Sequence, residues 1–338
     1  MRQPDAVIQS WCDKQLSYWQ TRRPGYAAVT EEFQHLNATE DSVFLFRIED
    51  GRVTLLDKPA FYTPADVAER SIFLLQRAVM YRDFLQAVVR FRRPQGSGML
   101  ALGTHDGPFE SATAPIFAFH KRNDDHSILL NDADFISNAF YPRVPCADPY
   151  AYDRKLNKAV FVGATTDSMH TEASVAALSS PRLRSGMAFR DSPEVDFKLP
   201  VITQCESEAA AERIRALGFG EGQYDWAYQF GYKFMITMDG NGATWARLAL
   251  GLKSRSVLLK YDSPYELYYS GGLTPWLHYI PIHSDQQVVD IVRLEADQPG
   301  RFRYVGEESR RFYRRYLNRD SVMTYVGRLI EMYFATFA

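Results

Sequence analysis

YKFMITMDGNGATWARLALGLKSRSVLLKYDSPYELYYSGGLTPWLHYIPIHSD, residues 232–285, sets apolar strand-like runs against glycine-rich turns and one helical stretch. The run Phe234–Met238 reads as a strand ending in Asp239-Gly240-Asn241-Gly242, with a helix over 243–252, and Ser256–Lys260 and His278–Ile282 read as further strands. This strand–loop–helix order is that of a nucleotide-binding α/β half. Glycines after a strand let the backbone approach a ligand closely, and the free N–H groups of a helix start favour an anion. Gly242, Ala243, Thr244 and Trp245 would supply such groups, with Thr244 as a cap or phosphate donor. Arg247 and Lys260 offer cationic partners for a diphosphate, and Glu266 is an acceptor suited to ribose or sugar hydroxyls. Taken singly, each has an ordinary reading: Asp-Gly-Asn-Gly is a common turn, and lone Arg and Lys at element ends are usually solvated.

The pattern continues outward. Residues 6–19 read as a helix, Val43–Ile48 and Val53–Leu56 as a hairpin about Asp50-Gly51, and 65–90 as one or two helices started at Thr63-Pro64. Met99–Leu102, Ile116–Phe119, Ile128–Leu130 and Ala159–Val162 read as strands, and Ser207–Leu217 as an Ala-rich helix. Pro142–Asp153 is the linker candidate, being rich in turn formers. Two helices close the chain, the last with Val322, Val326, Leu329, Ile330 and Tyr333 on one face and Asp320 as its expected cap. The expected division is residues 1–150, 151–305 and 306–338.

Composition narrows the function classes. A net charge of −2 over 338 residues gives no overall basic field for nucleic acid. Cys12, Cys146 and Cys205 are far apart and odd in number, neither a disulfide framework nor a zinc spacing. The first residues lack a continuous apolar core and no run has the length of a membrane span, so a reduced, cytoplasmic setting is the expectation. Aromatic residues make up 14% of the chain, which suits sugar stacking and core filling alike.

In combination, these motifs resemble glycosyltransferase family 90, which includes lipopolysaccharide and capsule glycosyltransferases and protein O-glucosyltransferases. The resemblance lies in Tyr232-Lys233-Phe234, Asp239-Gly240, Thr244-Trp245, Ser256-Val257-Leu258-Leu259-Lys260 and Pro275-Trp276-Leu277-His278-Tyr279-Ile280-Pro281, in order and spacing. Upstream, Phe161-Val162-Gly163-Ala164-Thr165-Thr166 is similar to the family's nucleotide loop, and Pro115–Lys121 to a strand and turn on the acceptor side. Leu102–Pro108 lies where the family carries its general base, which makes Asp106 the implied catalytic residue, with His105 and Lys121 on the acceptor side. The resemblance implies an α/β fold of GT-B type, two Rossmann-like domains facing a cleft, with C-terminal helices. It implies inverting, metal-independent transfer of a hexose or pentose, glucose first, from a UDP-sugar to a hydroxyl of a glycan or lipid-linked acceptor such as lipopolysaccharide or capsule. No cofactor is called for.

Three features depart from that pattern. Thr165 and His170 stand where the glucosyltransferases have arginines, and Ala246 where the family often has another, with Arg247 next. A relative that binds sugar or nucleotide without catalysis would show such losses. Asp132-Ala133-Asp134 follows an apolar run, as in metal-dependent GT-A transferases that hold Mn²⁺ or Mg²⁺, and carries the alternative reading. The basic aromatic stretch Arg310–Tyr316 suits either an anionic lipid surface at the inner membrane or the solvated face of a packed helix.

Overall fold

The computed structural model describes residues 4–58, 69–107, 113–140 and 147–337. The helix start expected at Thr63-Pro64 and the first part of the linker Pro142–Asp153 lie outside these residues. The chain forms two units, one of Met1–Phe140, Pro264–Gly272 and Arg315–Ala338, the other of Tyr141–Ser263 and Leu273–Arg314.

Unit 1 starts with α1 (Pro4–Arg22), α2 (Tyr26–Thr39), and the hairpin β1 (Val43–Glu49) and β2 (Arg52–Leu55). Asp50 and Gly51 both have positive φ, the geometry that a tight antiparallel hairpin needs between Glu49 and Arg52. Then come α3 (Glu69–Arg92), β3 (Gly98–Gly103), β4 (Phe117–Ala118), β5 (Lys121–Arg122), β6 (Ile128–Leu129) and α4 (Ala133–Ser137). The sheet order is β2-β1-β3-β4-β6, antiparallel at β1 and parallel from β3 to β6.

Unit 2 holds β7 (Leu156–Ala164), α5 (Glu172–Ala176), α6 (Pro181–Ala188), β8 (Val195–Val201), α7 (Glu208–Ala216) and α8 (Trp226–Phe230). It continues with β9 (Tyr232–Thr237), α9 (Ala246–Lys253) and β10 (Val257–Tyr261). After β11 (Tyr265–Glu266), which pairs with β5 in unit 1, follow β12 (Ile280–Ile282), α10 (Asp285–Asp297) and α11 (Arg303–Tyr316). All strand pairs of the unit-2 sheet are parallel, in the order β8-β7-β9-β10-β12. Counted from β7, that order is 2-1-3-4-5, a doubly wound sheet. The central strand β9 is buried along its whole length, which is why its sequence is a near-continuous apolar run rather than an alternation. Phe161, Phe234, Ile236, Leu259, Ile280 and Val288 form the heart of the core. The α/β class is therefore what the structure has.

The last helix, α12 (Arg319–Phe337), returns to unit 1. Its Tyr325 hydroxyl donates to Leu129 O at 2.6 Å and its Tyr333 hydroxyl to Met99 O at 3.1 Å. Trp11 of α1 and Tyr268 from the inserted segment pack against Tyr325. The cap of α12 is Asn318, whose Oδ1 accepts from Ser321 N at 3.1 Å, and not Asp320, which lies within the first turn. No helix of the described residues is long and apolar enough to cross a membrane.

Candidate functional site

In a 2-1-3-4-5 sheet the order of winding reverses between the first and third strands, and the loops beyond their carboxyl ends splay apart to leave a crevice. Here those strands are β7 and β9. The loops that follow them are Thr165–His170 and Met238–Trp245, which overlap the Gly163–Thr166 and Asp239–Trp245 segments singled out in the sequence. One side chain joins them. Arg182 opens α6, which starts with Ser180 as cap and Pro181 in the first turn. Its Nη1 donates to Ala164 O at 2.7 Å and to Thr166 Oγ1 at 2.9 Å, while Nε reaches Asp239 O at 3.0 Å and Nη2 reaches Met238 O at 3.1 Å. Arg182 is only 8% exposed, and burial pulls its pKa down against the charges of Asp167 and Asp239. Gly240 completes the seam. A Cβ there would stand 2.8 Å from Thr166 O and 3.0 Å from Arg182 Nη2, so only hydrogen fits between the loops.

The expected donor residues divide into two groups around this seam. Gly163, Ala164, Asn241, Ala243, Thr244 and Trp245 are partly exposed along it, and the buried Gly242 receives Gly240 N at its carbonyl. Asp239 is half-buried and loss of solvent raises its pKa, while Ser263, Lys260 and Thr244 oppose the rise. Lys260 at the end of β10 has its pKa lowered by burial and is drawn back by Asp239 and Asp262. Other residues belong to the scaffold. Thr165 Oγ1 donates to Thr203 O and accepts from Thr203 N, both at 2.9 Å, and the buried His170 holds Thr165 O at 2.6 Å.

Three expectations are corrected. The helix begins at Ala246 and not at 243, because Trp245 sits at ψ −91, outside the helical region. Thr244 accordingly caps nothing, and its hydroxyl faces Asp239 Oδ1 at 3.3 Å. Arg247 turns inward: Nη1 donates to Gln229 Oε1 at 2.7 Å, Nη2 to Val162 O, and the guanidinium lies over Phe161. Burial, with Arg182 nearby, lowers its pKa to about 9. Glu266 is not in unit 2 at all; it pairs in β11 with Lys121 and forms an ion pair with Lys14 at 2.7 Å.

In unit 1, polar residues gather where β3, β4 and β6 end. Asp106 lies on an exposed bend after β3 and accepts from Arg77 Nη1 at 2.5 Å, while the same nitrogen donates to Thr104 O. Arg77 is steadied over the Phe73 ring at 4.2 Å. His105 and the buried His120 are charge neighbours, and burial lowers the His120 pKa to about 4, so its ring is neutral at pH 7. Lys121 is buried and donates to Ser127 O at 3.0 Å, and burial lowers its pKa. Asp132 is the cap of α4, its Oδ1 accepting from Asp134 N and Phe135 N, and burial followed by Asp134 raises its pKa to about 7. The Asp-x-Asp spacing thus has a local cause, a carboxylate terminating a helix.

The doubly wound parallel sheet, with the loops after β7 and β9 joined at its switch point, defines an α/β fold whose ligands commonly lie at that point. The family model for Glycosyl transferase family 90 matches residues 201–337. The chain is similar to Protein O-glucosyltransferase 2 of Danio rerio, 33% identical over 105 residues, which is 31% of this chain and 21% of that protein. Protein O-glucosyltransferase 3 of Homo sapiens is 25% identical over 129 residues, 38% of this chain and 24% of the relative. These matches thus span about a quarter or less of the relatives' own length. A sucrose-phosphate synthase from Thermosynechococcus elongatus superposes at a TM-score of 0.36 with 11% identity, over 82% of this chain and 65% of that one. Tyr232–Pro281 lies inside the matched region, whereas Asp106, Lys121 and Gly163–Thr166 lie outside it.

Proposed function

We propose that this protein transfers a sugar from a UDP-sugar to a hydroxyl of a glycan or lipid-linked acceptor, with inversion and without a metal ion. The observation that carries the reading is the Arg182 seam, which brings the loops after β7 and β9 together at the switch point of a unit that carries the family 90 match. In this reading the diphosphate lies along Gly240–Trp245, where backbone N–H groups and Lys260 meet the charge that develops as the sugar–phosphate bond breaks. Arg182 acts as a positioning residue. Its donors meet backbone carbonyls and a threonine, so it fixes the shape of the crevice rather than neutralising the ligand.

Asp106 is the base of the proposed reaction. Its carboxylate takes the proton of the acceptor hydroxyl as that oxygen bonds to the anomeric carbon, while the electron pair of the breaking bond leaves with UDP. Glucose is the first donor choice, since the two O-glucosyltransferases named above are similar to this chain. A lipopolysaccharide or capsule glycan acceptor, a cytoplasmic location and contact with the inner membrane belong to the same proposal.

Calorimetry with UDP, UDP-glucose, UDP-galactose, UDP-xylose, UDP-GlcNAc and GDP-sugars tests the donor. Uridine nucleotides are expected to bind, and failure of all of them would sink the assignment. Arg182→Gln is expected to weaken UDP binding at least ~10-fold and to lower stability by roughly 2–4 kcal/mol, since three carbonyls lose a charged donor. Arg182→Lys should not restore binding, because an ammonium cannot span both loops as the planar fork does. A variant that bound UDP as wild type does would show that the seam is not the donor site.

A further inference from the structure

The opposite edge of the unit-2 sheet, where its strands begin, holds a cavity of about 280 Å³. Arg255, just before β10, Tyr152 and Asp153, just before β7, and Arg303 and Arg310 of α11 line it. Arg303 and Arg310 are seven residues apart, two helical turns, and so share a face. Their helix is brought in by Gly306: a Cβ there would lie 3.0 Å from Arg255 O and 3.2 Å from Ser256 O. Three guanidinium groups from two chain segments therefore meet around one space.

Their partners are unequal. Arg303 is paired with Asp153 and lies over the Tyr152 ring. Arg255 Nη1 donates to Asp148 O at 3.0 Å and to Tyr150 O at 3.3 Å. Asp148 itself is taken, one carboxylate oxygen accepting from the buried Lys155 at 2.8 Å and from Arg255 N at 2.7 Å. Among the described residues Arg310 has neither a hydrogen bond nor an ion pair, and Glu307, also in the lining, has none either. Partial burial first, then the like charges of Arg255 and Arg314, lower the Arg310 pKa, against the opposing charge of Asp148. A folded chain keeps such an arrangement at a cost unless an anion relieves it.

We propose that Arg255, Arg303 and Arg310 form a binding site for the phosphate group of a phosphorylated saccharide or a lipid headgroup, separate from the donor crevice. Guanidinium forks match phosphate oxygens in pairs, and Arg310 supplies the open fork. The site accounts for the first part of the Arg310–Tyr316 motif, which the transfer reaction leaves unused. It does not rest on the glycosyltransferase reading, since the two sites lie at opposite edges of one sheet.

The test is thermal unfolding of the whole chain in sodium phosphate against sodium chloride at matched ionic strength. Phosphate at about ten times its dissociation constant is expected to raise the wild-type midpoint by roughly 2 °C. Arg310→Gln should lose most of that rise while its midpoint without phosphate stays level or increases, because a repelled charge has gone. Arg310→Lys should keep part of the rise. No rise in wild type, or an equal rise in Arg310→Gln, overturns the proposal; phosphate seated in the donor crevice would give the second result. Flotation with phosphatidylglycerol and phosphatidylcholine vesicles separates the sources. Arg310-dependent binding to phosphatidylglycerol alone upholds the site with a lipid headgroup as ligand. An Arg310-dependent phosphate rise without vesicle binding upholds it with a soluble phosphorylated ligand.

Discussion

Alanine in place of Glu295 is expected to destabilise the protein by about 3–5 kcal/mol, roughly 4–7 °C in the unfolding midpoint. Glu295 is fully buried on α10 and its Oε1 receives Lys233 Nζ at 2.9 Å and Gly300 N at 2.8 Å, while Oε2 receives Phe302 N at 3.2 Å. Lys233 sits in the middle of the sheet on β9, with its ammonium over the Tyr152 ring at 5.1 Å. Removing the carboxylate leaves a buried cation and two backbone N–H groups without acceptors. The size of the loss comes from that unpaired charge more than from any intrinsic worth of the pair. Lys233→Met combined with Glu295→Leu should therefore recover a good part of it, though not the part owed to Gly300 and Phe302. Urea unfolding of the single and double variants measures both. An alanine variant within about 1 kcal/mol of wild type would mean that the ion pair is not closed in solution.

Asp106→Asn is expected to lower the rate of sugar transfer by about 10²–10⁴-fold with UDP affinity unchanged. The amide keeps the shape and the contact side offered to Arg77 but cannot accept the acceptor's proton. Affinity should hold because Asp106 belongs to unit 1 and the proposed diphosphate contacts belong to unit 2. Single-turnover transfer from the donor found by calorimetry gives the rate, and titration with UDP gives the affinity. Full activity in the asparagine variant would remove Asp106 from the mechanism and leave the donor site standing. Loss of UDP binding together with activity would instead point to a structural role for the bend after β3.

Much of the fold was legible because its signals are local. Phe234–Met238 and Ala159–Val162 are apolar runs bounded by turn formers, and Asp50-Gly51 is a turn whose chemistry forces the hairpin. The family resemblance was legible for a different reason, the order and spacing of motifs from Tyr232 to Pro281, which lie inside the region the family model matches. The functional geometry was far less so. Arg182 carries no motif, and its acceptors are carbonyls up to 57 residues away that only the winding of the sheet brings within reach. The one hint was the Ser180-Pro181 helix start, which gives its position but not its aim. Arg247 looked like a phosphate ligand from its place in the first helical turn, yet Gln229 and Val162, invisible to spacing, draw it inward. Glu266 was misplaced because its strand partner lies on β5 and its ion-pair partner, Lys14, is 252 residues away. Local pattern finds elements; side-chain direction depends on contacts that sequence distance hides.

The path of the chain through the two units also orders events during synthesis. Unit 1 contains residues made before unit 2, but its core waits for Tyr268, Tyr325 and Tyr333, which are made after most or all of unit 2. Unit 2 is nearly continuous and needs nothing beyond Arg314. The later-made half should therefore be first to reach its native state, with α1 to α4 held in a partly ordered form until α12 emerges. A nascent chain stopped near residue 315 would carry a protease-resistant core drawn from unit 2, and an amino-terminal half still open to cleavage.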